Sequence, residues 1–156
     1  MTNKLSFLPD DHHFAIAHVA VRSSQLDHHI EATIDLLLLN LQHTAKVVLK
    51  NLGQDRLVDL LGALLKDKFA NDHNEIDNLI AAIRKARSSR NDYLHQVWGP
   101  LEAEGFAMRA SFRPHREEVF TPTTAEDIQS AAHSLMECTR AIVRWQDLCA
   151  KELWRP

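Results

Sequence analysis

Residues 16–41 read IAHVAVRSSQLDHHIEATIDLLLLNL, and this stretch decides the fold class. Side chains on one face of an α-helix recur every three or four residues, and the stretch keeps that spacing from end to end. The positions on this face are Ile16, Val19, Ser23, Leu26, Ile30, Ile34, Leu37 and Leu41. No glycine or proline interrupts the pattern. We therefore expect one helix of roughly thirty residues that begins near Asp10 or Asp11.

Further helical patterns follow on the C-terminal side of this stretch. A second runs through Ala45, Val48, Leu49 and Leu52 and stops at Gly53, and a third runs from Leu57 to Phe69. A fourth starts after Asn74, a favourable N-cap residue, continues through Ile76, Leu79, Ile80, Ile83, Leu94 and Val97, and ends at Gly99-Pro100. Thr123 and Glu126 have the spacing of a capping box and predict the start of a last helix, with Ile128, Leu135, Ile142 and Cys149 seven residues apart.

The segment between the fourth and the last predicted helix follows a different rule. Residues 106–112 alternate between apolar and other side chains with a period of two, and Val119-Phe120-Thr121 is rich in strand-forming residues. The expected fold class is mainly all-α: a bundle of four to five helices with a short β-hairpin or extended insertion near residues 101–122. We expect residues 1–156 to form a single helical-bundle domain.

Composition narrows the classes of function. With only four glycines in 156 residues, folds that cradle phosphates in glycine-rich loops are excluded. Cys138 and Cys149 lie on one predicted helix at positions about 16 Å apart along its axis, too far for a disulfide. We expect reduced, buried thiols and a cytoplasmic location, because no signal peptide and no membrane-spanning run is recognisable.

The ten histidines are scattered along the chain. Neither the Glu-x-x-His pair of di-iron bundles nor a His-Glu-x-x-His segment occurs in the sequence. The sequence therefore predicts no metal site and no cofactor.

The fourth predicted helix carries arginines on its apolar side. At about 100° per residue, Arg87 and Arg90 fall inside the arc set by its isoleucines, while Asn91 and His95 lie one turn apart at the edge of that arc. A guanidinium on an apolar face stays charged and needs a partner. It can pair with a buried acid, face a subunit interface, or line a pocket that binds an anion.

The segment Arg90-Asn91-Asp92-Tyr93-Leu94-His95 resembles the motif of HEPN domains, in which Arg, often followed by Asn, precedes His by four to six residues. Only this hexapeptide is specific, although the helical layout is compatible with an HEPN-like bundle, and Trp98-Gly99 follows as in many such proteins. The resemblance implies a homodimer that cleaves or binds RNA without a metal ion. It further implies a defence, toxin–antitoxin or stress system, with an antitoxin or nucleotidyltransferase as partner.

The resemblance also implies roles for three residues. Arg90 would hold and neutralise the scissile phosphate, because a guanidinium fork matches phosphate oxygens. His95 would transfer protons as the 2′-hydroxyl attacks, since imidazole titrates near neutral pH, and Asn91 would orient His95 or a phosphate oxygen. The expected product is a 2′,3′-cyclic phosphate.

Two groups of arginines are candidates for contacts with the rest of the substrate: Arg84 and Arg87 on the fourth helix, and Arg109 and Arg113 in the insertion. Tyr93, Phe106 and Phe112 are expected to pack in the core, with base stacking as the alternative. The alternative to RNA cleavage is a non-catalytic interaction or dimerisation module. In that case Arg90 and His95 form a structural polar clamp with a buried acid such as Asp27 or Asp35.

Overall fold

The computed structural model describes residues 8–39, 47, 49, 51–95, 97–100, 106–111 and 119–153. In this part of the chain there are four helices, α1 (Asp10–Leu37), α2 (Gln54–Lys68), α3 (His73–Leu94) and α4 (Ala125–Leu153). Three short strands, β1 (Val97–Pro100), β2 (Phe106–Ser111) and β3 (Val119–Thr124), lie between α3 and α4. The mainly all-α fold class is confirmed. The helical pattern predicted through Ala45 and Val48 falls largely outside the described residues.

Helix α1 follows the pattern predicted from residues 16–41. Its buried apolar side chains are Ala15, Val19, Leu26, Ile30 and Ile34. Asp10 and Asp11 occupy its first turn, where carboxylates favour the positive end of the helix dipole. Thr33 is also buried, and its hydroxyl donates a hydrogen bond to the carbonyl oxygen of His29 at 2.6 Å. The hydroxyl of Thr33 is therefore buried but satisfied.

Contacts along the chain group into two compact units. One contains residues 1–23 and 87–135, and the other contains residues 24–86 and 136–156. Helices α1, α3 and α4 contribute residues to both units. The single domain over residues 1–156 stays a prediction.

In the unit of residues 24–86 and 136–156, α2 packs closely against α3 at Gly62. A Cβ added to Gly62 would lie 3.0 Å from Cγ1 of Ile80, closer than ordinary van der Waals contact. In the same unit, the rings of Phe69 and Trp145 meet edge to face at 5.1 Å. The fully buried aliphatic side chains around these contacts are Leu61, Leu65, Ile76, Ile83 and Ile142.

The same unit contains both thiols. Cys138 and Cys149 on α4 are free and buried, as predicted. Burial raises the pKa of each thiol, because a thiolate loses hydration in an apolar surrounding. Both side chains therefore act as small apolar groups of the core at neutral pH.

The strands form an antiparallel sheet in the order β1-β2-β3. Val97 is paired with Ala110 across β1 and β2, and Ser111 with Val119 across β2 and β3. The sequence predicted a two-stranded hairpin or an extended insertion, and the structure has three strands. The predicted position of Val97 on the fourth helix is wrong, because α3 ends at Leu94 and Val97 begins β1. Pro100 and Pro122 both lie on edge strands, the strand positions to which proline is largely confined.

The start of α4 is a capping box one residue beyond the predicted one. The N–H of Asp127 donates to the hydroxyl oxygen of Thr124 at 3.1 Å, and the N–H of Thr124 donates to the Asp127 carboxylate at 2.9 Å. Asp127 thus takes the role expected of Glu126. The predicted cap residue Thr123 is instead buried in β3, where its hydroxyl donates to the carbonyl oxygen of Thr121. Such caps contribute about 1 kcal/mol to stability.

In the unit of residues 1–23 and 87–135, His12 is fully buried between two acceptors. Its Nε2 lies 3.0 Å from the carbonyl oxygen of Thr123, and its Nδ1 lies 3.0 Å from the Asp11 carboxylate. Each contact is a hydrogen bond only when the ring nitrogen that makes it carries a proton. The hydrogen bonds from His12 lower the pKa of Asp11. His12 therefore connects the start of α1 to the end of β3.

None of the helices in the described ranges combines the length and the apolar character that crossing a lipid bilayer requires.

We predict that Gly62→Val destabilises the protein by about 1–3 kcal/mol, because the added branches overlap Ile80. Urea denaturation monitored by circular dichroism measures the free energy of unfolding. Ala63→Val is the matched control, since Ala63 is exposed on the same helix and the change there costs only about 0.5 kcal/mol of helix propensity. Equal losses in the two variants would contradict the close approach of α2 and α3.

We predict that Asp11→Asn lowers stability at pH 7 and has a smaller effect at pH 3. A carboxyl whose pKa is lower in the folded state stabilises the fold above its unfolded pKa of about 3.9, and that contribution disappears as the pH falls through the folded value. Denaturant unfolding at both pH values measures the difference. Asp10→Asn controls for the helix dipole, because Asp10 lies in the same turn. An effect of Asp11→Asn that grows toward pH 3 would contradict the bond to His12.

Candidate functional site

The last turns of α3 carry the predicted motif. Arg90 and Asn91 lie on the helix, and His95 follows its last residue, Leu94. The N–H of His95 still donates to the carbonyl oxygen of Asn91 at 3.3 Å, which extends the helical pattern by one bond. Asn91 and His95 are exposed, whereas Arg90 is half-buried. The segment therefore presents an imidazole and an amide to solvent at a helix end.

Arg87 and Arg90 extend into the interior of their unit, as the apolar arc predicted. Arg87 is only 5% exposed. The Nε atoms of both arginines are buried and have no hydrogen-bond acceptor among the described residues, although Arg87 has other polar interactions. A buried donor without an acceptor costs stability, since its hydrogen bond to water is lost on folding. The buried Nε of Arg90 therefore lowers the free energy of unfolding.

The polar-clamp alternative needs a carboxylate against Arg90 or His95. Neither residue forms an ion pair with an acid in the described part of the chain. Of the two acids considered from the sequence, Asp35 is exposed and Asp27 is half-buried with interactions of its own.

The other predicted arginines differ in their surroundings. Arg84 lies in the unit of residues 24–86 and 136–156, where its exposed guanidinium forms an ion pair with Asp59 of α2. Arg109 lies in the middle strand β2, at the position paired with Trp98 of β1. Arg113 lies outside the described residues. Among the four candidates, Arg87 and Arg109 thus belong to the unit that contains Arg90 and His95.

An aromatic pair flanks His95 in sequence: Tyr93 lies within the motif, and Trp98 follows it. The rings of Tyr93 and Trp98 stack with centroids 6.3 Å apart and planes 18° apart. The indole N–H of Trp98 donates to the carbonyl oxygen of Tyr93 at 3.0 Å. Both side chains are half-buried. The sequence shows Trp98 as an aromatic residue three positions after His95. It does not predict the stack, because the two rings meet only through the turn from α3 into β1.

The described residues contain no group of three His, Cys, Asp or Glu side chains close enough to share a metal ion. A cavity of about 130 Å³ is lined by Glu31, Asp35 and Leu57 among others, and one of about 440 Å³ by residues that include Glu75, Trp145 and Leu148. Both cavities lie in the unit of residues 24–86 and 136–156. Neither is lined by the segment from Arg90 to His95.

Comparisons of this chain with known proteins gave no match. No family model matches it, and no curated protein and no solved structure does. What supports a function is therefore the chemistry of the residues at the end of α3, together with the resemblance of their pattern to the HEPN motif.

We predict that Arg90→Met leaves the free energy of unfolding within about 1 kcal/mol of wild type, or raises it. Methionine fills a similar volume without burying an unsatisfied donor or a charge. If Arg90 were half of a buried clamp, the same change would cost about 3–5 kcal/mol, because its acid would be left unpaired. Urea denaturation distinguishes the two results. Arg140→Met is the control for loss of charge, since Arg140 is exposed and pairs with Glu137 on its own helix.

Proposed function

We propose that this protein is an HEPN-like domain that cleaves RNA without a metal ion at the segment Arg90 to His95. The observation that carries the proposal is the arrangement at the end of α3. An exposed imidazole and an exposed amide lie within a few residues of a half-buried arginine, whose Nε has no described acceptor. A phosphate would supply an acceptor for the guanidinium, although it need not reach Nε itself.

In the proposed reaction the 2′-hydroxyl of one nucleotide attacks its own 3′-phosphate. The 2′ oxygen forms a bond to phosphorus, the bond from phosphorus to the next 5′ oxygen breaks, and the products carry a 2′,3′-cyclic phosphate and a 5′-hydroxyl. One proton leaves the 2′-hydroxyl and one reaches the 5′ oxygen. An imidazole such as that of His95 performs either transfer, because histidine exists in both protonation forms near neutral pH.

Arg90 would stabilise the charge that develops on phosphorus oxygens during this reaction. A guanidinium remains protonated at any physiological pH, so its charge is available throughout the cycle. Partial burial strengthens its attraction to phosphate, because fewer water molecules screen the two charges. Asn91, exposed one turn before His95, would hydrogen-bond a phosphate oxygen or the imidazole.

The proposal extends to the assembly. One chain offers one imidazole at this segment, whereas the reaction needs a base and an acid. A homodimer would supply both from two copies of His95. Arg84, Arg87, Arg109 and Arg113 remain proposed contacts to the RNA backbone. Of these, Arg84 would have to exchange or share its ion pair with Asp59. We also propose that the protein is cytoplasmic and that an antitoxin or a nucleotidyltransferase binds it.

We predict that purified protein cleaves a mixed RNA sample in the presence of EDTA and that His95→Ala slows cleavage by about 10²- to 10⁴-fold, the usual contribution of a general acid–base residue. The 3′ ends of the fragments should carry cyclic phosphate. His95 is exposed, so its loss should leave the circular dichroism spectrum unchanged. His18→Ala is the matched control, because His18 is an exposed histidine on α1.

Each of four outcomes would contradict the proposal. Cleavage that stops in EDTA would indicate a metal-dependent reaction, and cleavage that is equal in wild type and His95→Ala would place the chemistry elsewhere. A folded protein that binds RNA without cleaving it would be a binding module. One that neither binds nor cleaves RNA would favour the interaction or dimerisation module.

A further inference from the structure

The stacked rings of Tyr93 and Trp98 lie on either side of His95 in sequence. The hydrogen bond from the indole N–H to the Tyr93 carbonyl oxygen fixes the indole against the end of α3. Each ring is only half-buried, so part of each remains accessible to solvent. A partly exposed aromatic ring has apolar surface that a further planar group can cover.

One arginine lies near this pair on α3, and another occupies the strand position opposite Trp98. Arg90 precedes Tyr93 by three positions on α3, which makes the two side chains neighbours on the helix surface. The position paired with Trp98 in the sheet is Arg109. Aromatic rings beside basic residues are the combination with which proteins hold single-stranded nucleic acids, the rings stacking on bases and the cations contacting phosphates.

We propose that Tyr93 and Trp98 form a stacking platform for one unpaired RNA base, next to the phosphate that Arg90 would hold. This inference rests on the proposed function and deepens it, because it assigns single-stranded RNA as the substrate. In a duplex each base is already covered on both faces by its neighbours, so it cannot extend the stack. The platform accepts any base, since all four bases have an aromatic face.

The platform also positions the reacting groups. Arg90 lies about one turn before Tyr93 on α3, so a base stacked on Tyr93 would have this guanidinium within one helical turn. His95 lies between the two aromatic residues in sequence and is exposed. Stacking therefore restricts how the strand crosses the segment and reduces the freedom lost when the 2′-hydroxyl aligns with the phosphate.

The test measures binding apart from cleavage. The probe is an eight-nucleotide oligouridine with 2′-O-methyl groups, which has no 2′-hydroxyl and cannot be cleaved by this reaction. We expect Trp98→Leu and Tyr93→Leu to weaken its binding roughly ten- to hundredfold, the usual contribution of one stacked base. Trp98→Phe should lose less affinity than Trp98→Leu, because it keeps an aromatic face although it loses the hydrogen bond to Tyr93. Phe14→Leu is the matched control, since Phe14 is a 71% exposed aromatic residue on α1.

Fluorescence gives a second measurement. A variant with Trp145→Phe and Trp154→Phe has Trp98 as its one tryptophan, and the probe should quench its emission. If that variant is unstable, since Trp145 is buried against Phe69, the indole N–H resonances of the complete chain report the same contact. A duplex of the same length should neither quench the emission nor shift the Trp98 resonance.

The outcomes separate the platform from the proposed function. If wild type cleaves RNA but a folded Trp98→Leu variant binds the probe equally well, the platform is wrong and the proposed function stands. Duplex binding as tight as that of the single strand would also overturn the platform. If wild type binds no RNA of either form, both proposals fail. Binding that depends on Trp98 without any cleavage would support the platform and reject the catalytic role of His95.

Discussion

An α-helix leaves its last carbonyl groups without donors from its own backbone. At the end of α3, a side chain supplies one of these missing donors, and this bond shapes the segment around His95. The indole N–H of Trp98 donates to the carbonyl oxygen of Tyr93. This bond requires the chain to leave the helix after Leu94 and to bring Trp98 back against its last turn. The same reversal starts β1, which pairs with β2, and it leaves His95 exposed at the turn.

The arginines of α3 differ in whether their polar groups have partners among the described residues. A core optimised for stability alone would place an aliphatic residue at position 90, because the buried Nε of Arg90 has no acceptor among the described residues and such a donor costs stability. Arg84 differs, since its charge is compensated by Asp59 at the surface. Strain and unsatisfied groups concentrate where proteins bind ligands. Arg90 therefore retains a charged group at a position where the described residues supply no acceptor for its Nε.

The unit of residues 1–23 and 87–135 combines helix ends with a small sheet, and polar contacts hold the junction between β3 and α4. His12 connects α1 to the carbonyl oxygen of Thr123, and Thr124 with Asp127 caps α4 immediately afterwards. The junction between β3 and α4 is thus held from both sides. Such a scaffold is what a site on a helix end requires, because loosely held side chains contribute less to binding.

The sequence by itself determined the helices, their buried faces, the two buried thiols and the position of Arg87 and Arg90 on an apolar arc. Helical hydrogen bonds join residues four apart, so a short stretch of sequence is enough to show the spacing of the buried side chains. Only the tertiary structure decided that Val97 begins a strand, that His12 reaches Thr123, and that Tyr93 stacks on Trp98. These features depend on partners brought together by folding: Val97 is paired with Ala110, and His12 bonds a residue 111 positions away. A strand has no stability of its own until its neighbour is in place, and periodicity cannot reveal that neighbour.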